Sequence, residues 1–327
     1  MTGGAFHSDL LAAVRRLRRR LTLWRVVAVL AIVAALTAVL WRQADVALGD
    51  HVARVRISGL ILNDQRRLDL LDKLARSARV RAVILRIDSP GGTVVGSEAL
   101  HDAIRRVAEK KPVVAVLDGV AASGGYIAAL AADRIFARRN TITGSIGVIF
   151  QWAELDQLLG RLGVKMQAIR SGPFKARPNP FEPLDPEVRA VTEALIRDSF
   201  DWFVDLLTRR RGLTPQTARR LADGRVWTGH QALALKLVDA IGDERAARKW
   251  LAEKKGVPES LKTVERKPES LTGRLGLDVA IWRGLLSAMG LETLVDAGAG
   301  IVDGGLALDG LLALWHPRAR QEARGPR

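Results

Sequence analysis

The composition is most informative for what it lacks, beginning with cysteine, which is absent from all 327 residues. This absence excludes disulfides, thiolate metal sites, iron–sulfur clusters and a cysteine nucleophile. Aromatic residues are scarce at 5%, and the chain has 11 lysines against 40 arginines. Neither Gly-rich nucleotide fingerprint, G-x-G-x-x-G or G-x-x-x-x-G-K-[ST], occurs. We therefore expect no cofactor and no metal, and serine becomes the plausible nucleophile.

Negative charge is also in deficit, because 35 Asp+Glu face 51 Lys+Arg, which leaves a net charge of +16. Such an excess is typical of nucleic-acid binding. However, no aromatic-flanked basic strand or recognition helix accompanies it. Residues 1–48 carry seven Arg and two Asp, a net of +5, and the remaining charge is spread over an Arg-rich body. We expect no nucleic-acid partner.

The one long apolar run lies near the N-terminus, where Val26 to Val39 is interrupted only by Thr37. Neighbouring leucines extend it to about 20 residues, enough to cross ~30 Å of hydrocarbon. Trp24 and Trp41 stand at its two ends, where aromatic rings prefer the interface. The pattern predicts a transmembrane helix over residues 21–41.

The charges around this run predict its orientation. Five arginines precede it, at positions 15, 16, 18, 19 and 20, whereas Arg42 and the acidic Asp45 follow. Because positive charge stays cytoplasmic, residues 1–20 should lie inside and residues 43–327 outside the membrane. A cleaved signal peptide is the alternative, with Ala44 to Ala47 as an arguable cleavage site. We favour the retained single-pass anchor.

The body of the chain alternates apolar runs with helical patterns. Strands are predicted at 52–57, 80–87, 113–117, 146–150 and 164–169, and helices at about 65–78, 95–110, 123–132 and 152–162. Such alternation favours an α/β fold with parallel strands. Asp185-Pro186-Glu187 predicts the start of a helix running to about Arg210. In the tail, amphipathic helices are predicted around 285–295 and 306–315.

Three loops combine glycine with a chemically useful side chain. Asp88 to Gly92 follows a predicted strand, and its paired glycines let backbone N–H groups approach a ligand, although a Pro-Gly-Gly segment taken alone favours an ordinary turn. Ser123 follows another strand among small residues, where either a nucleophile or a helix N-cap fits. Lys175 lies in a loop rich in proline and apolar residues. Taken alone, a solvated surface lysine is favoured, whereas burial of the amine would lower its pKa and favour the neutral form.

A serine nucleophile needs a base, and histidine is the usual one. None of the five histidines lies in these loops, and His101 fits the surface of a helix. A Ser–His triad is possible but unsupported, whereas a Ser–Lys dyad is chemically sufficient.

Four ordered segments, RIDSPGG at 86–92, ASGGY at 122–126, TGSIGV at 143–148 and SGPFK at 171–175, resemble the signal peptide peptidase SppA family, peptidase family S49, in its short single-repeat bacterial form. The resemblance covers about residues 53–245. It implies a fold similar to the ClpP/crotonase type, built from repeated ββα units. It also implies a membrane-anchored serine endopeptidase that degrades cleaved signal peptides, assembled as a homo-oligomeric ring or dome of about eight subunits.

The resemblance assigns roles residue by residue. Ser123 matches the nucleophile and Lys175 the general base. The backbone N–H of Gly92 or Gly91, together with that of Gly124, matches the oxyanion hole. Ser145 is placed to orient the lysine. Ala176-Arg177 departs from the acidic or small polar residues expected there. The implied domains are a basic N-terminus (1–20), the helix (21–41), a linker (42–52), the protease domain (53–262) and a tail of unassigned role (263–327).

Other functions remain open at this point. A crotonase-like enzyme would use the same backbone N–H groups for acyl-CoA chemistry, yet CoA is absent outside the cell. A non-catalytic membrane-anchored scaffold is a second alternative, against which the intact serine, lysine and paired glycines argue. A third is a related protease acting on other membrane proteins, including stomatin-like partners.

Overall fold

The computed structural model describes residues 49–268 together with Trp24, Ala31, Ala35 and Leu312–Leu314. Trp24, Ala31 and Ala35 are helical, and the rest of the predicted anchor lies outside the described residues. Within the described part of the chain, no helix combines the length and apolarity needed to cross a membrane.

Strands and helices alternate from residue 51 onward, as expected. The strands are β1 (His51–Ile61), β2 (Val80–Thr93), β3 (Val113–Ala122), β4 (Arg134–Ala137), β5 (Ile142–Gly144), β6 (Val226–Thr228), β7 (Ala240–Ile241), β8 (Lys262–Arg266) and β9 (Leu312–Leu314). The helices are α1 (Gln65–Arg76), α2 (Val94–Ala108), α3 (Gly124–Leu130), α4 (Asp156–Arg161), α5 (Pro186–Arg211), α6 (Pro215–Leu221), α7 (Gly229–Ala234) and α8 (Glu244–Lys255).

The strands form a mixed sheet in the order β6-β5-β3-β2-β1-β8, with β4 beside β3, β7 beside β4 and β9 beside β2. The central pairs β8–β1–β2–β3 are parallel, which confirms the α/β prediction. Antiparallel pairing occurs at β5–β6 and at β2–β9. The sheet is therefore mixed, and not purely parallel as the alternation alone would suggest.

Helices cover both faces of the sheet, which explains why its central strands are continuously apolar. One core joins alternate residues of β1, β2 and β3 to α1, α2, α3 and α5. A smaller core on the opposite face packs Val52, Ile84 and Val116 against Ala247 and Leu251 of α8. The site described below lies where β2 and β3 end.

The long helix α5 has the termini that its sequence predicts. The Asp185 side chain accepts a hydrogen bond from the Val188 N–H at 2.8 Å, and Pro186 occupies the first turn. The helix ends at Gly212, whose φ of 61° is the left-handed conformation that glycine tolerates.

Some predicted elements differ from the structure. The strands at 80–87 and 113–117 continue to Thr93 and Ala122, so two of the predicted loops are partly strand. The segment 164–169 is exposed and irregular, and the strand predicted at 146–150 is instead β5, at 142–144. The helix predicted at 306–315 is contradicted at Leu312–Leu314, which is a strand.

The exposed segment 164–169 belongs to an arm spanning residues 151–185. None of its residues is buried among the described residues, and its only helix, α4, is shorter than predicted. Its apolar residues include Leu158, Leu162, Met166 and Ile169, each more than half exposed. The apolar pattern therefore marks an outward surface of the chain and not a strand in its core.

Candidate active site

Ser123 lies at the junction between β3 and α3, almost fully buried at 1% exposure. Its N–H donates to the Gly144 carbonyl at 2.8 Å, and its own carbonyl accepts from the N–H groups of Tyr126 and Ile127, each at 2.9 Å. The backbone on both sides of the serine is thereby held in place.

The backbone of Ser123 is also strained. Its φ of 53° and ψ of −115° are values that glycine adopts readily and other residues rarely do. Such a conformation costs of order 1–3 kcal/mol and persists only where surrounding structure imposes it. The side chain makes no capping hydrogen bond to α3. The N-cap explanation of this serine, open from the sequence, therefore fails.

Ser145 is brought next to Ser123 by strand pairing. Ala122 at the end of β3 pairs with Gly144 at the end of β5, so the two serines follow a matched pair. Ser145 has a φ of 48° and lies 9% exposed, with its N–H donating to the Arg225 carbonyl at 2.8 Å. Two buried serines in left-handed conformations thus stand side by side.

The paired glycines of β2 lie beside this junction. A Cβ on Gly125 would meet the Ser89 carbonyl at 2.7 Å, which shows how closely α3 approaches β2. Gly91 has a φ of 112°, and its N–H donates to the Ser89 Oγ at 3.1 Å. Ser89 in turn donates to the Gly59 carbonyl at 2.6 Å. The Gly91 N–H is therefore engaged within the chain.

Gly92 has a packing reason for lacking a side chain. A Cβ there would lie 1.8 Å from the Ile61 carbonyl oxygen of β1. Gly124 opens α3, where the first backbone N–H groups have no acceptor within the helix. Of the predicted oxyanion-hole donors, Gly124 is thus better placed than Gly91, whose N–H is engaged, while Gly92 lies in the sheet between β1 and β9.

Lys175, unlike the two buried serines, is exposed and lies in a turn of the arm. Its side chain is exposed, and the neighbouring Phe174 is 42% exposed. Among the described residues, its amine has no hydrogen-bond or ion-pair partner. The burial expected for this lysine from its apolar neighbours is therefore not present within the described chain.

The arm is held around Lys175 by a chain of ion pairs. Arg177 contacts Glu182 at 3.1 Å and Asp185 at 2.7 Å, and Arg170 also pairs with Glu182. The hydrogen bond from Arg170 holds the pKa of Glu182 below its ordinary value, and the Val188 N–H does the same for the pKa of Asp185. Arg177, the departure noted after Lys175, therefore has a structural role in holding this loop.

Behind Ser123, helix α3 is fixed by groups that sequence reasoning missed. Tyr126, the only tyrosine of the chain, is fully buried and donates to the Leu237 carbonyl at 2.7 Å. Burial raises the pKa of its phenol. Arg210 donates to the carbonyls of Leu130 and Ala132 at 2.6 and 2.9 Å, which satisfies the end of the helix. Only the position of Tyr126 two residues after Gly124 hinted at this role.

His101 is not a surface residue as expected, because it is only 7% exposed. Its Nδ1 lies 3.0 Å from Asp102, and burial lowers the pKa of the ring. Among the described residues, no cluster of His, Asp and Glu side chains could hold a metal ion.

Comparison with known proteins identifies the family. The family "Peptidase family S49" matches residues 105–258, and "Clp protease" matches residues 34–151. A Synechocystis sp. protein named "Putative protease" is 40% identical over 228 residues, covering 68% of this chain and 82% of that protein. An Enterococcus faecium protein named "Putative signal peptide peptidase SppA" is 32% identical, covering 68% of this chain and 66% of that one.

Among solved structures, a membrane-bound stomatin-specific protease matches with a TM-score of 0.45 and 16% identity, over 67% of this chain and 99% of that chain. The sheet itself is the mixed α/β type of the Clp proteases. The chain therefore belongs to peptidase family S49 and is a serine protease of that family.

Proposed function

We propose that Ser123 is the nucleophile and Lys175 the general base of a Ser–Lys dyad. The neutral lysine amine takes the proton of the Ser123 hydroxyl as the serine oxygen attacks a peptide carbonyl. The lysine then returns the proton to the departing amine, and water hydrolyses the acyl-enzyme with the lysine again as base. The observation that carries this proposal is the strained, buried and uncapped backbone of Ser123.

The developing oxyanion would be met by the N–H groups of Gly92 and Gly124. Fixed backbone donors need no reorganisation during the reaction, and each is worth about 3 kcal/mol in comparable sites. Gly91 supports them indirectly, because its N–H is bound to Ser89. Ser145, beside Ser123, is the residue we propose to orient the lysine amine when the dyad forms.

Assembly is the step that we propose brings Lys175 to a serine. The arm that carries it presents apolar side chains to solvent, among them Ile169 and Leu162 at 107% and 68% exposure. A second copy of this chain is the partner that would both cover this surface and complete the dyad. We accordingly propose a homo-oligomeric ring or dome, with about eight subunits as the analogue of related assemblies.

The proposed substrate is an apolar peptide left in or at the cytoplasmic membrane after signal-peptide cleavage. The predicted anchor at residues 21–41 would hold the catalytic domain on the outer side, near such peptides. A relative that carries the name signal peptide peptidase supports this substrate class. No nucleic acid and no cofactor enter the proposal.

Turnover of an apolar peptide by the full-length chain in detergent tests the dyad. Ser123→Ala and Lys175→Ala should each lower kcat by about 10³-fold or more, because the two residues act as one unit. Lys165→Ala is the matched control, since Lys165 is an exposed lysine of the same arm, and it should keep the original rate. Near-normal turnover in either dyad variant would contradict the assignment.

A further inference from the structure

A polar cavity of about 480 Å³ lies beside β1, β2 and β3. Neither Ser123 nor the paired glycines line it. Asp88 does, whereas the next residue, Ser89, is fully buried and donates to the Gly59 carbonyl. Three arginines and two aspartates line the cavity and leave it a net charge of +1: Arg56, Arg86, Arg138, Asp88 and Asp118.

Two of these five charges satisfy each other. Arg86 donates to both carboxylate oxygens of Asp118, at 3.0 and 2.8 Å. Such a forked pair neutralises both groups and uses the acceptors of the aspartate. The charges that remain for a ligand are therefore those of Arg56, Arg138 and Asp88.

The two remaining arginines have no acidic partner. Arg56 stands directly beside Arg86 in the register of β1 with β2, where like charges opposite each other are destabilising. Arg138 follows β4, on the far side of β3. In the part of the chain that the structure describes, neither guanidinium forms an ion pair. Both are thus free to hold an anionic group.

Asp88 is the counterpart of these arginines. Its Oδ1 accepts from the Val120 N–H at 3.0 Å, but its carboxylate pairs with neither Arg56 nor Arg138, although all three line one cavity. Opposite charges are therefore held apart across a space open to a ligand. A molecule with a carboxylate and an ammonium group would bridge them, because guanidinium groups bind carboxylates and a carboxylate accepts from ammonium.

We propose that this cavity binds a small zwitterion, a free amino acid or a short peptide, with its carboxylate on Arg56 and Arg138 and its ammonium on Asp88. The volume is that of a small-molecule site. Peptide hydrolysis releases chain ends of both charges, so the ligand belongs to the class of the protease's products. This link to products rests on the proposed function, whereas the site itself does not.

Titration calorimetry of the full-length chain in detergent measures binding without turnover. The probe is dialanine, compared with N-acetyl-dialanine, which lacks the ammonium, and with dialanine amide, which lacks the carboxylate. We expect both blocked forms to bind at least tenfold more weakly than dialanine, because each loses a charge-assisted contact. Equal binding of the three, or no binding of dialanine, would overturn the proposal.

Arginine variants locate the carboxylate. Arg56→Gln and Arg138→Gln should each weaken dialanine binding about tenfold, because each removes a charged donor. Arg139→Gln is the matched control, since this neighbouring arginine is equally exposed and does not line the cavity. It should leave the affinity unchanged. A similar loss in all three variants would mean a general effect of charge and no site.

Asp88→Asn tests the ammonium end and guards against misfolding. Asparagine keeps an acceptor for the Val120 N–H, so the loop should hold its shape. Dialanine should bind about tenfold more weakly to this variant, whereas N-acetyl-dialanine should bind as well as before or better. Equal losses for both peptides would contradict the assignment.

The nucleophile variant separates this site from the dyad. Ser123→Ala should bind dialanine as the unaltered chain does, whatever its turnover. Loss of dialanine binding in Ser123→Ala would place the ligand at the nucleophile and overturn the proposal. Failure of the dyad would appear in turnover alone, with dialanine binding intact.

Discussion

At the scale of single residues, the backbone conformation of Ser123 distinguishes this serine from an ordinary helix cap. A serine between small residues at a helix start has two equally good explanations in sequence, a nucleophile and an N-cap. The φ of 53° and the missing cap hydrogen bond exclude the N-cap, and neither can be read from residue types. Ser145 shares this conformation, and its proximity arises only through the pairing of β3 with β5.

Replacing Ser123 with glycine should relieve this strain. Glycine adopts the observed conformation freely, although its greater freedom in the unfolded chain lowers the stability by about 0.5–1 kcal/mol. Because the strain is of order 1–3 kcal/mol, we expect the free energy of unfolding of Ser123→Gly to exceed that of Ser123→Ala by about 1 kcal/mol. Urea unfolding of the two inactive variants measures the difference. An alanine variant as stable as the glycine variant would argue against strain at this position.

Burial of Tyr126 makes the stability of the fold depend on pH under alkaline conditions. Its phenol has a raised pKa in the folded state, so folding stability is complete below the ordinary pKa of about 10 and is lost as pH rises above it. Because the chain has one tyrosine, absorbance at the phenolate band reports this group alone. We expect no ionisation near pH 10 in the folded protein and ordinary titration in denaturant.

The matched variant is Tyr126→Phe, which should abolish the phenolate signal and lose the hydrogen bond to Leu237. That loss should cost about 1 kcal/mol at neutral pH. Titration of the folded wild-type phenol with an ordinary midpoint would contradict its burial.

At the scale of elements, sequence patterns predicted the body of the fold well and the arm poorly. Helix α5 was foreseeable because Asp185 and Pro186 encode its start locally. The apolar runs of β1, β2 and β3 were foreseeable because both faces of their sheet are covered. The runs in the arm have the same composition but face outward. Periodicity records that a surface is apolar and cannot distinguish a core from a contact with another chain.

Strands β1 and β2 depend on the absence of a side chain at Gly92. Since a Cβ would lie 1.8 Å from a backbone oxygen of Ile61, Gly92→Ala must separate the strands and should destabilise the fold by about 3 kcal/mol. Gly160→Ala, in α4 with no atom within 4 Å of the new Cβ, should be neutral or stabilising by up to ~1 kcal/mol. Thermal unfolding compares the two, and equal stability would refute the close approach.

At the scale of the whole molecule, the chain combines a well-packed body with an arm whose apolar side chains no other described residue buries. The buried serine belongs to the first and the exposed lysine to the second. Four short motifs identified both residues because each is local in sequence. How the two residues would meet could not be predicted from the motifs, because under the assembly proposed above it depends on contacts beyond one chain.

A charge on the arm should therefore disrupt assembly and activity together. We expect Ile169→Asp to reduce the sedimenting mass in detergent and to lower turnover by at least tenfold, because the dyad would not be completed. Leu233→Asp provides the comparison, as Leu233 is an exposed apolar residue of α7 outside the arm. It should retain both properties. Full activity in a dissociated Ile169→Asp chain would show that assembly is not required.

The chain of ion pairs that holds the loop of Lys175 makes the structure of that loop sensitive to dissolved salt. Arg170, Glu182, Arg177 and Asp185 are partly exposed, so dissolved salt weakens their attraction as the screening length falls to about 3 Å at 1 M. Ser123 is held by backbone hydrogen bonds and not by ion pairs, so this screening does not affect its position. If the proposed dyad holds, seawater-like or brine-like surroundings would therefore act on the base and not on the nucleophile. The rate of the protease would then change with the ionic surroundings of the organism.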